Sequence, residues 1–202
     1  MTNSAFLPSL SSPIPGNRAR SWRRPWRVLR RLPLLGLLGA ALALPAAAQP
    51  TQNAWSLHRA KGKTYKRVGL NWHSEALWTR RLGESGRVEL SAELGLAWWR
   101  PDAGAPAGDM LQFSAVPLWR FWASPQSRLH VEIGIGPSLL SRRQFAGRNL
   151  STHFQFADHI GLGYALDERS RLGLRYSHFS NAGIKRPNPG LDVLQITWTK
   201  GF

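Results

Sequence analysis

The sequence predicts an all-β protein, an eight-stranded antiparallel transmembrane β-barrel of the outer membrane. Three observations carry that prediction. The N-terminus has the pattern of an export signal. The remainder alternates apolar and polar residues in segments of about ten, separated by turn residues. After residue 48 no apolar run approaches the ~20 residues that a spanning helix requires.

Residues 1–31 hold seven arginines and no acidic residue, and they lead into the apolar stretch Leu32 to Leu44. Ala46-Ala47-Ala48 follows as a small-x-small cleavage site. A basic region, an apolar core of about a dozen residues and an A-x-A end make a secretory signal, too short to span a bilayer as a stable helix. The expectation is therefore a signal peptide over 1–48 and a barrel domain over 49–202. Arg23-Arg24 is a weak twin-arginine pattern that Pro25 interrupts, so ordinary export is expected.

Charge separates along the same boundary. The whole chain carries +16, and the seven arginines of residues 1–48 account for the difference from +9 for residues 49–202. An exported chain meets no nucleic acid, so a basic surface there faces anionic lipid phosphates instead. Cysteine is absent. Disulfides and thiolate chemistry are excluded, and stability must come from packing, ladders and the membrane.

Eight segments are expected. The first covers roughly Asn53 to Arg59, and the second Tyr65 to Trp78, with Val68, Leu70 and Trp72 opposite Gly69, Asn71 and His73. After a turn at Gly83–Gly86, the third sets Val88, Leu90, Ala92, Leu94, Leu96 and Trp98 against Arg87, Glu89, Ser91, Glu93 and Gly95. The fourth spans Met110 to Trp122. The fifth opposes Leu129, Val131, Ile133 and Ile135 to His130, Glu132, Gly134 and Gly136. The sixth runs from Leu150 to Tyr164, the seventh from Arg171 to Ser180, and the eighth ends at Phe202. Short turns alternate with long loops near 61–63, 101–109, 141–149 and 181–189, and the long ones are expected outside the cell. Tryptophans 72, 78, 98, 99, 119, 122 and 198 fall near segment ends, where interfacial girdles place them. The soluble alternative, a lipocalin-like barrel, would put the polar residues outside.

Side chains two apart on a strand share a face. His178 and Ser180 thus lie with Leu172, Leu174 and Tyr176, whereas Arg175 and Ser177 point the other way. Asp192 shares its face with Leu194, Ile196 and Trp198. A His, a Ser and an acid at the outer end of an apolar, lipid-facing surface sit in the wrong solvent unless they have a task. Serine is a poor nucleophile until a base takes its proton, and imidazole serves best when a carboxylate fixes its tautomer. The Asn-Ala-Gly turn after Ser180 offers backbone N–H groups to a developing oxyanion.

The full string His178-Phe-Ser-Asn-Ala-Gly-Ile-Lys-Arg-Pro-Asn188, with an acid fourteen positions after the His, resembles the active-site segment of the PagL-type lipid A 3-O-deacylases. The resemblance extends through Thr64-Tyr65, Gly69-Leu-Asn-Trp72, Glu132-Ile-Gly-Ile-Gly136, Asn149-Leu150 and Phe156-Ala-Asp158, and so covers most of residues 49–202. It implies an eight-stranded outer-membrane esterase that hydrolyses the 3-position ester of lipid A and releases a 3-hydroxy fatty acid, without cofactor or metal. It implies His178 as base, Ser180 as nucleophile, and Asn181 and Gly183 at the oxyanion hole. Asp192 stands where the family pattern has Glu, one methylene longer, so its contact with His178 needs a small adjustment. The implied partners are lipopolysaccharide and outer-membrane lipid, with a homodimer also open to the fold.

A non-enzymatic barrel would explain the strands but not the three polar residues on the lipid face, and a lipid A acyltransferase would share the substrate but yield no free acid. His130, His153 and His159 are expected on lumen faces as members of polar networks. Arg142, Arg143, Arg148, Lys185 and Arg186 read either as solvated loop charges or as ligands for lipid A phosphates.

Overall fold

The computed structural model describes residues 52–104 and 108–202; the expected signal, residues 1–48, lies outside them. The strands are β1 (Ala54–Lys61), β2 (Tyr65–His73), β3 (Trp78–Leu82), β4 (Gly86–Pro101), β5 (Met110–Trp122), β6 (Leu129–Leu140), β7 (Gln144–Phe145), β8 (Arg148–Asn149), β9 (Phe154–Ala165), β10 (Ser170–Ser180) and β11 (Leu191–Gly201). β2 and β3 both pair with β4 and count as one barrel strand, while β7 and β8 form a separate hairpin. Eight antiparallel strands therefore close on themselves, with β1 sealing the ring against β11 from Ala54↔Gly201 to Lys61↔Leu194. Closure leaves no edge, which a lipid environment demands.

The break between β2 and β3 corrects the single segment expected over Tyr65–Trp78. His73 faces Glu93 and Trp78 faces Leu90, so residues 74–77 oppose only residues 91 and 92. Extra residues on one strand make a bulge. Ser74 fills it by donating its N–H to the Ala92 carbonyl and accepting the Ala92 N–H, both at 2.9 Å. The third long loop also differs from expectation, because it holds the β7–β8 hairpin. Ala146 (φ 48°) and Gly147 (φ 75°) turn it, both with the positive φ that tight hairpins need. β9 begins at Phe154 rather than Leu150, since Ser151 adopts φ 63° and breaks the extended chain.

The outer face is an apolar band. Leu70, Leu96, Phe113, Ile133, Ile160, Leu174 and Ile196 are all exposed on it. The polar residues of the same strands are buried inside, including Glu89, Glu93, Glu132 and Arg175. This inside-out distribution is that of a membrane barrel and not of a soluble one. Two tryptophans depart from the expected girdle, because Trp99 and Trp122 point inward and are fully buried, whereas Trp78, Trp98 and Trp198 are outside. Val88, expected outside, is buried too.

The interior is filled in layers. Near its centre Arg175 donates to Glu132 at 2.7 Å and to both carboxylate oxygens of Glu93 at 2.9 and 2.8 Å. Asn71 also donates to Glu93 at 2.7 Å, and Arg120 reaches Ser91 at 2.8 Å. Towards the long loops, Tyr65, Trp99, Met110, Phe145, Leu150, Phe179 and Leu191 form an apolar plug. An eight-stranded barrel packed in this way has no room for a channel. At the opposite end the β9–β10 turn is tied by Asp167, which accepts the N–H groups of Arg169 and Ser170 at 2.8 Å each. Those bonds, that from Arg169 foremost, hold the Asp167 carboxyl below the usual carboxylate range.

Candidate active site

β10 carries two sets of side chains. Arg175, Ser177 and Phe179 are buried in the interior, and the alternation sends Tyr176 and His178 outward with Ser180 at the strand's end. Phe179 anchors that end in the apolar plug, edge-on to Trp99 with ring centroids 5.2 Å apart. The strand therefore cannot slip by one residue without driving Arg175 into lipid.

His178 faces Asp192 across the β10–β11 ladder and Asp158 across the β9–β10 ladder. Directly opposed residues on one face lie within side-chain contact. His178 Nδ1 and Asp192 Oδ1 are 2.7 Å apart, and the same carboxylate oxygen accepts the Tyr176 hydroxyl at 2.6 Å. The Asp side chain reaches the imidazole from within a continuous β10–β11 register. The Asp192 backbone is held as well, since the buried Tyr65 hydroxyl accepts its N–H at 2.9 Å and donates to its carbonyl at 3.2 Å. Gly190 gives the ring its space. Its φ of 63° suits glycine, and a Cβ there would come within 2.7 Å of His178 Cε1.

Ser180 lies beside His178 without a hydrogen bond to it among the described residues, and its Oγ accepts the Ala182 N–H at 3.4 Å. Apo sites often show this open geometry, which tightens around a substrate. Asn181 is fully buried and braces the loop. Its Nδ2 donates to the carbonyls of Leu150 (3.1 Å) and Lys185 (2.9 Å), while its Oδ1 accepts the Gly183 N–H at 2.9 Å. The Asn181 N–H donates to Asn188 Oδ1 at 3.1 Å. The two N–H groups expected at an oxyanion hole are thus engaged within the loop, and the one directed at the Ser180 hydroxyl belongs to Ala182.

An apolar groove of about 510 Å³ opens on the outer surface next to His178 and Tyr176. Trp119, Ile133, Ile135 and Ile160 line it, with Asp158 at the His178 end. It follows a lapse in the β5–β6 ladder, which is unpaired between Ser114↔Ser138 and Leu118↔Gly134. Pro117 and Pro137 fall in that gap and have no N–H to donate. Asp158 Oδ1 is buried there without a hydrogen-bond partner among the described residues.

Tyr176, Tyr65, Asp158 and Gly190 carry no assigned role in the sequence reading. Tyr176 had a usable signal, lying two residues before His178 on the same face. The others depend on strand pairing and loop shape. His153 is corrected: it is exposed in the loop before β9, with Nδ1 2.7 Å from the Leu140 carbonyl, rather than in the lumen. His130 and His159 are interior. The lumen also gathers His58, His73 and Glu93 with ligand atoms within 4.8 Å, a set not evident from spacing. Most of its donor atoms already have partners, His58 Nδ1 being the exception: Ser56 Oγ lies 2.8 Å from both His58 and His73 Nε2, Arg120 meets His73 Nδ1 at 3.0 Å, and Arg175 holds Glu93. It is a polar network closed by guanidinium groups.

The model of the lipid A 3-O-deacylase (PagL) family matches residues 64–200. The lipid A deacylase PagL of Bordetella bronchiseptica is 47% identical over 172 residues, covering 84% of this chain and 96% of that protein. The lipid A deacylase PagL of Pseudomonas aeruginosa is 29% identical over 165 residues, or 82% of this chain and 93% of that one. Among solved structures, the outer membrane enzyme PagL superposes with a TM-score of 0.59 at 23% identity, covering 73% of this chain and 99% of that one, and so shares the fold. The family match spans the ladder from β2 to β11 and includes every residue of the outer polar cluster, so the chain belongs to the lipid A 3-O-deacylase family.

Proposed function

We propose that this outer-membrane enzyme hydrolyses the 3-position acyl ester of lipid A with Ser180 as nucleophile, His178 as base and Asp192 as the carboxylate that orients the imidazole. The observation that carries the reading is the 2.7 Å His178–Asp192 contact on the lipid-facing surface, beside an apolar groove. With Nδ1–H held by Asp192, the other ring nitrogen is free to take the Ser180 proton. Ser180 Oγ attacks the ester carbonyl carbon, and the tetrahedral oxyanion forms beside the turn at residues 181–183, where the Ala182 N–H points at Oγ and those of Asn181 and Gly183 are held within the loop. Asn181 keeps that turn in shape, Ala182 supplies the N–H nearest Oγ, and Gly183 leaves the approach uncrowded. His178 then protonates the departing sugar hydroxyl. A water, deprotonated by the same imidazole, opens the acyl-Ser180 ester and releases the fatty acid. Every step is a proton transfer or an acyl transfer among Ser180, His178, the substrate and water.

The groove receives the scissile acyl chain, with its apolar wall along Ile133, Ile135 and Ile160 and the unpartnered Asp158 oxygen placed to accept the chain's 3-hydroxyl. The long loops and the site share one end of the barrel, the end at which outer-leaflet headgroups lie. All three reacting side chains come from one chain, so a homodimer is not required; cross-linking in native membranes reads its presence. Residues 1–48 act as the signal, and the intact mass of the mature protein is expected to begin at Gln49.

Incubating the purified barrel with lipid A and identifying both products tests the reaction class. Free 3-hydroxy fatty acid and singly deacylated lipid A are expected. Transfer of the chain to a second lipid would replace hydrolysis by acyltransfer, and no turnover in a folded protein would leave a structural barrel.

A further inference from the structure

A second concavity of about 490 Å³ opens at the extracellular end, between the β7–β8 hairpin and the β10–β11 loop. Arg142 and Arg143 face it from one side and Lys185 and Arg186 from the other, with His153 and Ser151 between them. Its lining contains no carboxylate, and none of the four cations is in an ion pair among the described residues. Elsewhere on the barrel some basic residues do find carboxylates: Lys61 pairs with Asp102, Arg100 with Asp109 and Arg87 with Glu89. Four like charges brought to one hollow repel each other unless an anion is shared between them.

The hollow is held by anchored backbone. Phe145 and Leu150, on either side of the hairpin's second strand, are fully buried in the apolar plug. Ser151 donates its hydroxyl to the Pro187 carbonyl at 2.8 Å, and Arg148 reaches the Gly190 carbonyl at 3.4 Å. The buried Asn181 amide ties both walls to the residue after Ser180, through the carbonyls of Leu150 and Lys185. Whatever binds in the hollow is thereby fixed relative to the Ser180 hydroxyl.

We propose that this pocket binds a phosphate monoester of the outer-leaflet glycolipid, so that the charged headgroup is gripped there while the ester to be cleaved lies over Ser180. Three guanidinium groups offer the planar paired donors that match phosphate oxygens, and Lys185 adds a point charge. The volume leaves room for the sugar that bears the phosphate. The assignment of the phosphate to the substrate itself rests on the deacylase reading above; binding of phosphate by the pocket does not.

The test has two arms and uses the barrel refolded in neutral detergent. In the first, inorganic phosphate is titrated and followed by phosphorus NMR linewidth, comparing wild type with R142Q/R186Q. Broadening in the wild type that the variant loses is expected, and equal behaviour of the two overturns the proposal. This arm involves no catalysis, so it stands even if hydrolysis is not found. In the second, KM and kcat are compared for lipid A and for the same lipid A with its phosphates removed. The variant is expected to raise KM at least roughly tenfold on the phosphorylated lipid with kcat kept, and to be unchanged on the dephosphorylated one. Binding in the first arm without any KM difference in the second assigns the phosphate to a neighbouring lipid. A KM rise of equal size on both substrates overturns phosphate recognition. A p-nitrophenyl fatty ester, which carries no phosphate, checks that the variant's reaction centre is intact.

Discussion

Two polar clusters lie back to back on β10, one residue apart in sequence and on opposite sides of the barrel wall. Inside, Arg175 is enclosed by Glu93 and Glu132, with all three buried and joined at 2.7 to 2.9 Å. Outside, Tyr176, His178 and Asp192 are joined just as closely, yet they stay half open to the membrane, and among the described residues the Ser180 hydroxyl beside them is bound only by a long contact from Ala182. The inner cluster is complete. The outer one has a serine hydroxyl and a ring nitrogen unused, next to a groove. Short distances alone do not separate a structural network from a reaction centre; spare hydrogen-bonding capacity facing a ligand-sized space does.

That difference can be broken by mutation, from opposite sides. The largest effect is expected on the outer face. D192N should leave a folded barrel, with the faster gel migration of an unheated β-barrel retained, and lower kcat by about 10³-fold or more, because the amide stabilises the wrong imidazole tautomer. Glutamate at the same position should restore most of the activity, since it keeps the charge. A fall of less than about tenfold in D192N would remove Asp192 from the mechanism.

R175M should do the reverse. It strands two buried carboxylates and is expected to cost about 3–5 kcal/mol in denaturant unfolding, while the fraction that remains folded keeps its specific activity. Unchanged stability would mean that the interior cluster is better hydrated than its burial implies. The smallest effect is expected from Y176F. Removing one of two donors to Asp192 should lower kcat by roughly fivefold through about 1 kcal/mol of lost hydrogen bonding, with KM and stability near wild type. A change in KM alone would place Tyr176 in the groove wall and outside the proton path.

Much of the fold was legible because a membrane barrel writes its environment on alternate residues. The run Val131 to Ile135 against His130 to Gly136 gave both strand and faces. β5 was located from Met110 to Trp122, which is where it lies. The signal failed where backbone hydrogen bonds override the pattern, as at the Ser74 bulge and the Ser151 turn, and where the barrel plugs itself. Trp99 and Trp122 occupy strand ends, as girdle residues do, but the end of a small barrel also needs a lid, and composition cannot tell the two apart.

The outer cluster was partly legible for the same reason. Parity placed His178, Ser180 and Asp192 on one face, and the family string named them, but register was needed to see that His178 stands between Asp192 and Asp158. The expectation of Asn181 and Gly183 at an oxyanion hole needs the shape of the turn before a role can be given to each residue. Their N–H groups are engaged inside the loop, and only the three-dimensional turn reveals that Ala182 is the residue facing the serine.

On this reading the open outer cluster breaks an acyl ester of the surrounding glycolipid. The reading is tested most directly by mass spectrometry of lipid A from cells producing the wild-type chain or S180A at matched levels of folded protein in the outer membrane. Loss of one 3-hydroxyacyl group with the wild type, and intact lipid A with S180A, is the expected result. Equal deacylation by both would contradict the assignment of Ser180 as nucleophile and with it the functional distinction between the two faces of β10.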